Sequence, residues 1–268
     1  KLGVFVLNYI FIIYSYIFAR KNFVLFHKFL YHISLRGLGI LNHHNSYLAG
    51  EKQWLSRYLK NINNPIVIDV GANIGGYVND VFEANISSFV YAFEPHPITY
   101  RKLNNNIAND KLKTFNLGVG NEKGKLELFD YEDNDGSAHA SLYKEVITDL
   151  HGKGAVSHSV EVIKLDDFFM DYKIDTIDLL KIDTEGNEYN VLLGVEKYLT
   201  EKKIKAIHFE FNEMNIISKI SFKNFWDLLI GFEFYRMLPG GNLIRLKKYS
   251  PLSCEIYAFQ NIVAILKK

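Results

Sequence analysis

The chain has 268 residues, of which 48% are hydrophobic and 23% are charged, a composition typical of a globular protein with one large domain or two small ones. Its 31 basic and 30 acidic side chains leave a formal charge of +1, so no overall basic character points to nucleic acid as a partner. The single cysteine, Cys254, excludes an intrachain disulfide, and no Cys–His zinc motif is present. We therefore expect a cytoplasmic protein that holds no metal.

Residues 2–19 carry no charged side chain and are followed directly by Arg20 and Lys21. A helix of this length, at about 1.5 Å per residue, is close to the minimum needed to span a bilayer. The positive charge follows the apolar run and no small-residue cleavage site appears, which argues against a signal peptide. Two interpretations stay open: the segment attaches the protein to the inner face of a membrane, or it is a helix buried against the catalytic domain or a partner subunit.

Residues 1–60 are predicted to be an apolar helical extension, and residues 61–268 a domain in which strands and helices alternate. The predicted strands are 66–70, 89–93, 114–119, 126–129, 159–163, 177–182, 204–211, 232–237 and 256–265, and the predicted helices of this domain are 76–84, 97–109, 187–199 and 222–230. Such alternation indicates an α/β fold, with a parallel sheet and helices on both faces. Residues 131–158 are polar and lack periodicity, and we predict an insertion over an active site.

The most informative segment runs from Asp69 to Gly76, where a buried strand ends in a glycine-rich loop and a helix begins. In such folds ligands bind at the carboxyl ends of the strands. Glycine there lets the backbone approach a ligand, and the start of the helix offers free N–H groups. A dinucleotide-binding fingerprint has glycine where this chain has Asn73, which argues against NAD or FAD.

Acidic residues lie at or just after the ends of three further strands. Glu94 ends the second strand, where an acid can accept hydrogen bonds from both hydroxyls of a ribose. With the first loop, it predicts a nucleoside cofactor with little phosphate, such as S-adenosylmethionine. Asp183 and Glu185 follow a later strand and could orient an acceptor, accept its proton or bind a cation, although acids also stabilise a helix N-terminus. Glu210 is a further candidate, whereas His208 is expected to be a hydrogen-bonded core histidine.

Three strings resemble, in order, those of the FkbM-type S-adenosylmethionine-dependent methyltransferases. They are Asp-Val-Gly-Ala-Asn-Ile-Gly at 69–75, Phe-Glu-Pro-His-Pro at 93–97 and Lys-Ile-Asp-Thr-Glu-Gly-Asn-Glu at 181–188. The resemblance covers roughly residues 50–265. It implies a Rossmann-like class I methyltransferase fold, with a mostly parallel seven-stranded sheet whose last strand is antiparallel. It also implies O-methylation of a hydroxyl, commonly on a sugar or on a polyketide-type natural product.

The resemblance further implies which residues bind the cofactor and which lie beside the reacting methyl group. The implied cofactor-binding residues are Asp69, Gly71, Ala72, Asn73, Gly75, Glu94, Pro95, Asn116, Leu117 and Asp183. Asp183 and Glu185 would lie beside the methyl group. The N-terminal 45 residues are outside the resemblance.

A sugar hydroxyl is a weak nucleophile, so we expect a base to accept its proton. Asp183 is the first candidate, with Glu185 and Glu210 near it, and His139 and His158 of the insertion are second candidates. A lipid-linked glycan would be a natural acceptor if the apolar N-terminus binds a membrane. Two other classes stay open: an NAD-dependent sugar oxidoreductase, and a non-catalytic cofactor-binding or scaffold protein on the same fold.

Overall fold

The computed structural model describes residues 2–41 and 46–267. The described chain divides into two compact units, a first unit that ends at Leu38 and a second unit that begins at Gly39. This division lies earlier than residue 60, where the sequence analysis placed it.

Two helices, α1 (Leu2–Phe18) and α2 (Val24–Gly37), make up most of the first unit. The backbone of Arg20, between them, is extended. The first helix therefore ends at Phe18, one residue before the end of the apolar run over residues 2–19. A nitrogen of the His27 ring lies 3.0 Å from the carbonyl oxygen of Phe18. This contact gives a partner to one of the carbonyl groups that the end of a helix leaves free.

No single helix of the described residues is long and apolar enough to cross a membrane. By length and composition alone, the pair Leu7–Phe18 and Lys21–Gly37 passes that test together, with a bend of 101° between its two parts. A short 3-10 turn over Lys21–Phe23 forms the junction.

The second unit alternates strands and helices, as the sequence predicts. Its helices are α3 (Ser46–Ala49), α4 (Glu51–Leu59), α5 (Gly76–Ala84), α6 (Pro97–Asn106), α7 (Leu165–Asp171), α8 (Glu188–Leu193), α9 (Glu196–Thr200), α10 (Met214–Ile217), α11 (Phe222–Leu228) and α12 (Pro251–Cys254). Its strands are β1 (Ile66–Val70), β2 (Phe89–Phe93), β3 (Leu112–Phe115), β4 (Gly118–Val119), β5 (Gly124–Tyr131), β6 (Ala155–Ile163), β7 (Leu179–Ile182), β8 (Ala206–Phe211), β9 (Phe232–Met237), β10 (Leu243–Leu246) and β11 (Gln260–Leu266).

Among the described residues the main sheet has eight strands, in the order β10-β9-β11-β8-β7-β1-β2-β3. Its central pairs are parallel, whereas β11 is antiparallel to both β8 and β9. The predicted Rossmann-like fold with an antiparallel last strand is therefore confirmed. The sheet has one strand more than the seven expected, because β10 turns back and pairs with β9 at the edge.

A smaller sheet has the strand order β4-β6-β5. The strand predicted over 114–119 is divided between the two sheets, since β3 joins the main sheet and β4 joins the smaller one. The insertion predicted over 131–158 is shorter in the structure, because Tyr131 ends β5 and residues 155–158 begin β6. Those four residues show no apolar alternation that would reveal a strand. We use the name insertion for residues 132–154.

Two apolar cores lie on opposite faces of the main sheet. Successive side chains of a strand point to opposite faces, and β1 gives Ile68 to one core and Val67 to the other. Helix α4 adds Trp54 and Leu55 to the second core. Burying an apolar side chain of this size stabilises the folded state by about 1.5–3 kcal/mol. Because α4 is part of this core, the second unit begins well before residue 60.

Candidate functional site

The first loop follows β1 at the carboxyl edge of the main sheet, where β1 lies between β2 and β7. The N–H groups of Gly71 and Ala72 donate to the carbonyl oxygen of Phe93 at 2.9 and 3.0 Å. Gly71 has a φ of 81°, and a Cβ there would lie 1.7 Å from the carbonyl oxygen of Asp183. Only glycine fits between the ends of these strands, so the loop lies directly against Asp183.

Asn73 and Gly75 complete the loop, and both have a positive φ, of 50° and 92°. Asn73 lines both of the cavities described below. A Cβ on Gly75 would meet the side chains of Ile107 and Leu103 at 2.4 and 2.9 Å. Gly75 therefore allows close packing at the start of α5. It lines neither cavity, whereas its neighbours Asn73, Ile74 and Gly76 do line one or both.

Glu94 is the first residue after β2, and its carboxyl group is buried. Its Oε2 accepts the N–H of Asn73 and its Oε1 accepts the N–H of His96, both at 2.8 Å. Burial raises the pKa of Glu94 to about 7, although the two N–H groups oppose this rise. A carboxylate has about four lone-pair sites, so two ribose hydroxyls can still donate to it.

A slot opens beside Glu94, between the first loop and the smaller sheet. Pro95, Leu117 and Asp183 line it, and Val119, Leu128 and Leu142 add apolar surface. The amide of Asn116 donates to the carbonyl oxygens of Glu94 and Pro95, both at 2.9 Å, and so holds the wall of the slot in place. An apolar wall, a buried acid and a glycine loop fit the adenine, ribose and methionine parts of S-adenosylmethionine.

A second cavity, of about 830 Å³, shares Gly71, Asn73 and Asp183 with the slot. We call it the acidic cavity, because six of the described residues that line it are carboxylic acids. These are Glu51, Asp80, Asp183, Glu185, Glu210 and Glu213. Its other polar lining includes Lys181, His139 and His151. Four of the five candidate bases from the sequence analysis therefore lie in one cavity beside the slot, namely Asp183, Glu185, Glu210 and His139.

Burial makes three of these carboxyl groups, Glu51, Glu185 and Glu210, weaker acids than usual. It raises the pKa of Glu51 and of Glu185 to about 7, and the charge of Asp183 adds to the rise at both groups. The pKa of Glu210 is raised well above its usual value for the same two reasons. Glu51 and Glu185 therefore exchange protons readily near neutral pH, which suits them to receive a proton from an acceptor.

The turn that carries Asp183 and Glu185 is fixed by Glu188. Its Oε1 accepts the N–H groups of Thr184 and Gly186, at 3.0 and 3.1 Å, and the hydroxyl of Thr184 at 3.1 Å. Glu185 has a φ of 53°, a strained value for a residue other than glycine. The string 181–188 thus contains one acid that holds the turn and two acids that the turn presents to the cavity.

A buried polar row crosses the main sheet below the acidic cavity, formed by Asp69, Lys181 and His208 on neighbouring strands. The hydroxyl of Tyr77 lies 3.2 Å from Nδ1 of His208, and Oδ1 of Asn261 lies 3.2 Å from its Nε2. Burial lowers the pKa of His208, so its ring is neutral, and the prediction of a hydrogen-bonded core histidine is confirmed. Asp69 belongs to this row and lies below the cavity lining.

Lys181 and Glu51 were missed as site residues by the sequence analysis. Lys181 interrupts an otherwise apolar strand, and a charge at such a position is rare without a partner. That signal was available in the sequence. Glu51 reaches the cavity because α4 packs on the sheet, a contact that no local pattern encodes.

The two histidines named as second candidates for the base lie in different places. Nδ1 of His139 is 3.2 Å from Oε1 of Glu185, and this contact raises the pKa of His139. Nε2 of His158 is 2.8 Å from Oδ1 of Asp135, away from the acidic cavity lining. The structure therefore brings His139, and not His158, to the site.

His96, Asp135 and His158 form a cluster whose nitrogen and oxygen atoms lie within 4.8 Å of one another, close enough to share a metal ion. Nε2 of His96 contacts Oδ1 of Asp135 at 2.9 Å. Nδ1 of His96 accepts the N–H of Ile98 at 3.2 Å, so Nε2 carries the proton of the neutral ring. In this state Nε2 donates to Asp135 and is not a metal ligand, and the cluster ties the insertion to the start of α6.

The strand order, the tight glycine loop and the buried acid after β2 define the class of protein: it is a Rossmann-like, S-adenosylmethionine-dependent methyltransferase. A profile described as the methyltransferase FkbM domain matches residues 69–235, more than half of the chain. The chain belongs to this family, and the resemblance seen in its sequence is confirmed.

Three relatives share parts of the sequence. The chain is 32% identical over 159 residues to methyltransferase sdnD of Sordaria araneosa, a match that covers 50% of this chain and 61% of that protein. It is 25% identical over 194 residues to the 2-O-methyltransferase NoeI of Sinorhizobium fredii, covering 66% and 76%. It is 28% identical over 182 residues to the 31-O-demethyl-FK506 methyltransferase FkbM of Streptomyces tacrolimicus, covering 55% and 70%. The chain thus spans less than two thirds of the length of the Sordaria protein.

Solved structures give a weaker similarity. The plantazolicin methyltransferase BpumL in complex with SAH has a TM-score of 0.44 to this chain at 9% identity, over 82% of this chain and 83% of that one. The precorrin-6y C5,15-methyltransferase of Geobacter metallireducens has a TM-score of 0.43, also at 9% identity, over 81% and 87%.

Proposed function

We propose that this methyltransferase transfers its methyl group to a hydroxyl of a sugar or glycan. The observation that carries the proposal is the acidic cavity, which adjoins the cofactor slot across Asp183. Carboxylates accept hydrogen bonds and hydroxyls donate them, so a cavity with six acids suits an acceptor rich in hydroxyls. A mostly apolar natural product would leave these acids without partners.

Transfer to oxygen is supported by two of the relatives. Their names describe a 2-O-methyltransferase and a 31-O-demethyl-FK506 methyltransferase. Neither name specifies a sugar, and the choice of a sugar over a polyketide rests on the polar character of the cavity.

The chain's own residues supply position and proton transfer. S-adenosylmethionine, when bound, supplies an electrophilic methyl group. Glu94 and the first loop hold the nucleoside and orient it along the slot. Asp183, which lines both slot and cavity, accepts the proton of the acceptor hydroxyl. Glu185 and His139, 3.2 Å apart, can relay a proton toward the half-exposed His139 ring.

The test is methyl transfer from labelled S-adenosylmethionine to a panel of methyl glycosides, with phenols and macrolide-type alcohols in parallel. We expect the label on one or more glycosides. Labelling of the phenols or macrolide-type alcohols alone would contradict the sugar proposal and leave the methyltransferase class intact. Mass spectrometry and NMR identify the hydroxyl of the product that carries the new methyl group.

We propose further that the first unit binds a membrane at its cytoplasmic face, so that the glycan acceptor is lipid-linked. Four consecutive residues of α1, Ile10 to Ile13, are each more than half exposed. Four consecutive residues of a helix point in all directions, so this helix is apolar all round, as membrane-bound helices are. The first 50 residues contain five lysines and arginines and no acid, which favours an anionic lipid surface.

Vesicle sedimentation of the full chain tests this attachment. We expect binding to phosphatidylcholine vesicles that contain phosphatidylglycerol, and weaker binding by the double variant Leu25→Glu and Phe29→Glu in α2. Leu252→Glu is the control, because Leu252 is an apolar residue of the second unit that is even more exposed than Leu25 and Phe29. Wild-type protein that stays in the supernatant with these vesicles would contradict the attachment.

A further inference from the structure

Lys181 presents a buried ammonium group to the acidic cavity, and the reaction scheme above gives it no role. Its side chain is only 4% exposed, and Nζ lies 3.3 Å from Oδ2 of Asp183. Nζ also lies 5.6 Å from the centre of the Tyr77 ring. Within the described part of the chain it makes no hydrogen bond, although an ammonium carries three N–H donors.

The surroundings keep this ammonium charged. Burial lowers the pKa of Lys181, but the carboxylates of Asp183, Glu210 and Glu51 outweigh burial, and the net pKa is raised. Lys181 is therefore a cationic donor at neutral pH. Buried donors are nearly always satisfied in folded proteins, so the unused N–H groups call for an oxygen supplied from the cavity.

The ammonium and the carboxylate of Asp183 form a donor and an acceptor side by side. Their separation of 3.3 Å is similar to that of the two oxygens of a vicinal diol. One hydroxyl of such a diol can give its proton to Asp183 while the oxygen of the next hydroxyl accepts from Lys181. The second hydroxyl can in turn donate to Glu210 or Glu51, which line the same cavity.

Building on the proposed function, we propose that Lys181 binds the hydroxyl next to the reacting one, so that the enzyme selects a vicinal diol of a sugar. The carboxylate of Asp183 repels a phosphate or a carboxylate that approaches Lys181. A lone hydroxyl on an apolar skeleton leaves the ammonium unsatisfied. Lys181 thus sets specificity by touching a part of the acceptor that does not react.

The experiment compares each methylated methyl glycoside with its derivative that lacks the neighbouring hydroxyl, on wild type and on Lys181→Met. We expect wild type to lose about 100-fold in kcat/KM on the deoxy compound, as for a hydrogen bond to a charged group. Lys181→Met should lose a similar factor on the diol, mainly through KM, and should treat diol and deoxy compound alike. Lys205→Met is the control, because Lys205 pairs with Asp178 on the neighbouring part of the sheet and lines neither cavity.

Two results would overturn the inference, and a third would contradict the proposed function on which it rests. Equal rates of wild type on diol and deoxy compound would overturn it, and so would an equal loss on both compounds in Lys181→Met. If Lys181→Met fails to fold, the comparison of the two compounds on wild type and on Lys181→Arg, which keeps the charge, still decides. Absence of transfer to any glycoside, with S-adenosylhomocysteine binding intact, would instead contradict the proposed sugar acceptor.

Discussion

The cofactor slot and the acidic cavity meet at Asp183 but are built in opposite ways. In the slot the one buried acid, Glu94, already has a backbone N–H on each of its two oxygens. In the acidic cavity Lys181 has no hydrogen bond among the described residues, although its ammonium lies 3.3 Å from Oδ2 of Asp183. The slot is organised before its ligand arrives, whereas the cavity has polar groups that a ligand must satisfy.

The sharpest way to separate the two regions is Asp183→Asn, because Asp183 lines both. If its role is to accept a proton, turnover should fall by about 10²- to 10⁴-fold, while the Kd for S-adenosylhomocysteine changes little. Single-turnover rates and calorimetric titration measure the two quantities. A large loss of cofactor affinity with little loss of turnover would assign Asp183 to the slot alone.

Gly71→Ala tests how tightly the slot is organised. The new Cβ would lie 1.7 Å from the carbonyl oxygen of Asp183 at a φ of 81°, so strands must shift. We expect at least about 3 kcal/mol of lost stability in urea unfolding, together with lost cofactor binding. Gly76→Ala is the matched control, since a Cβ there meets nothing within 4 Å. Equal behaviour of the two variants would show that the loop is not constrained as described.

Glu51→Gln tests whether the acidic cavity carries unsatisfied charge. The folded pKa of Glu51 is about 7, above its ordinary value of 4.5, so the folded state holds a proton that the unfolded chain releases. Wild-type stability should therefore fall as pH rises from 4.5 to 7, and Gln removes this contribution.

The free energy of unfolding of Glu51→Gln, relative to wild type, should rise by about 1–3 kcal/mol between pH 4.5 and pH 8. Urea titrations at both values measure it. Ser56→Ala is a control on the same helix, because Ser56 is exposed, carries no charge and lies outside the cavity lining. A difference that is independent of pH would mean that Glu51 is not destabilised by burial.

The same contrast explains what the sequence could reveal. The slot is encoded in contiguous strings, because the loop at 69–75 and Glu94 each follow a strand that the apolar pattern locates. The cavity is assembled from distant segments. Glu51 enters it through the packing of α4, and only the structure distinguishes His139 from His158, since both lie in polar segments without periodicity. The added strand β10 was missed for a similar reason. It forms by pairing with β9 at the edge of the sheet, a tertiary contact that no local pattern encodes.

The most direct test of the central claim is calorimetric titration of wild type and Glu94→Ala with S-adenosylhomocysteine, with NAD in parallel. We expect micromolar binding of S-adenosylhomocysteine by wild type, no binding of NAD, and a loss of about 10- to 100-fold in Glu94→Ala, where the charged hydrogen-bond acceptor of the ribose is removed. Folded wild-type protein that binds NAD, or that binds neither compound, would contradict the assignment of the slot to S-adenosylmethionine.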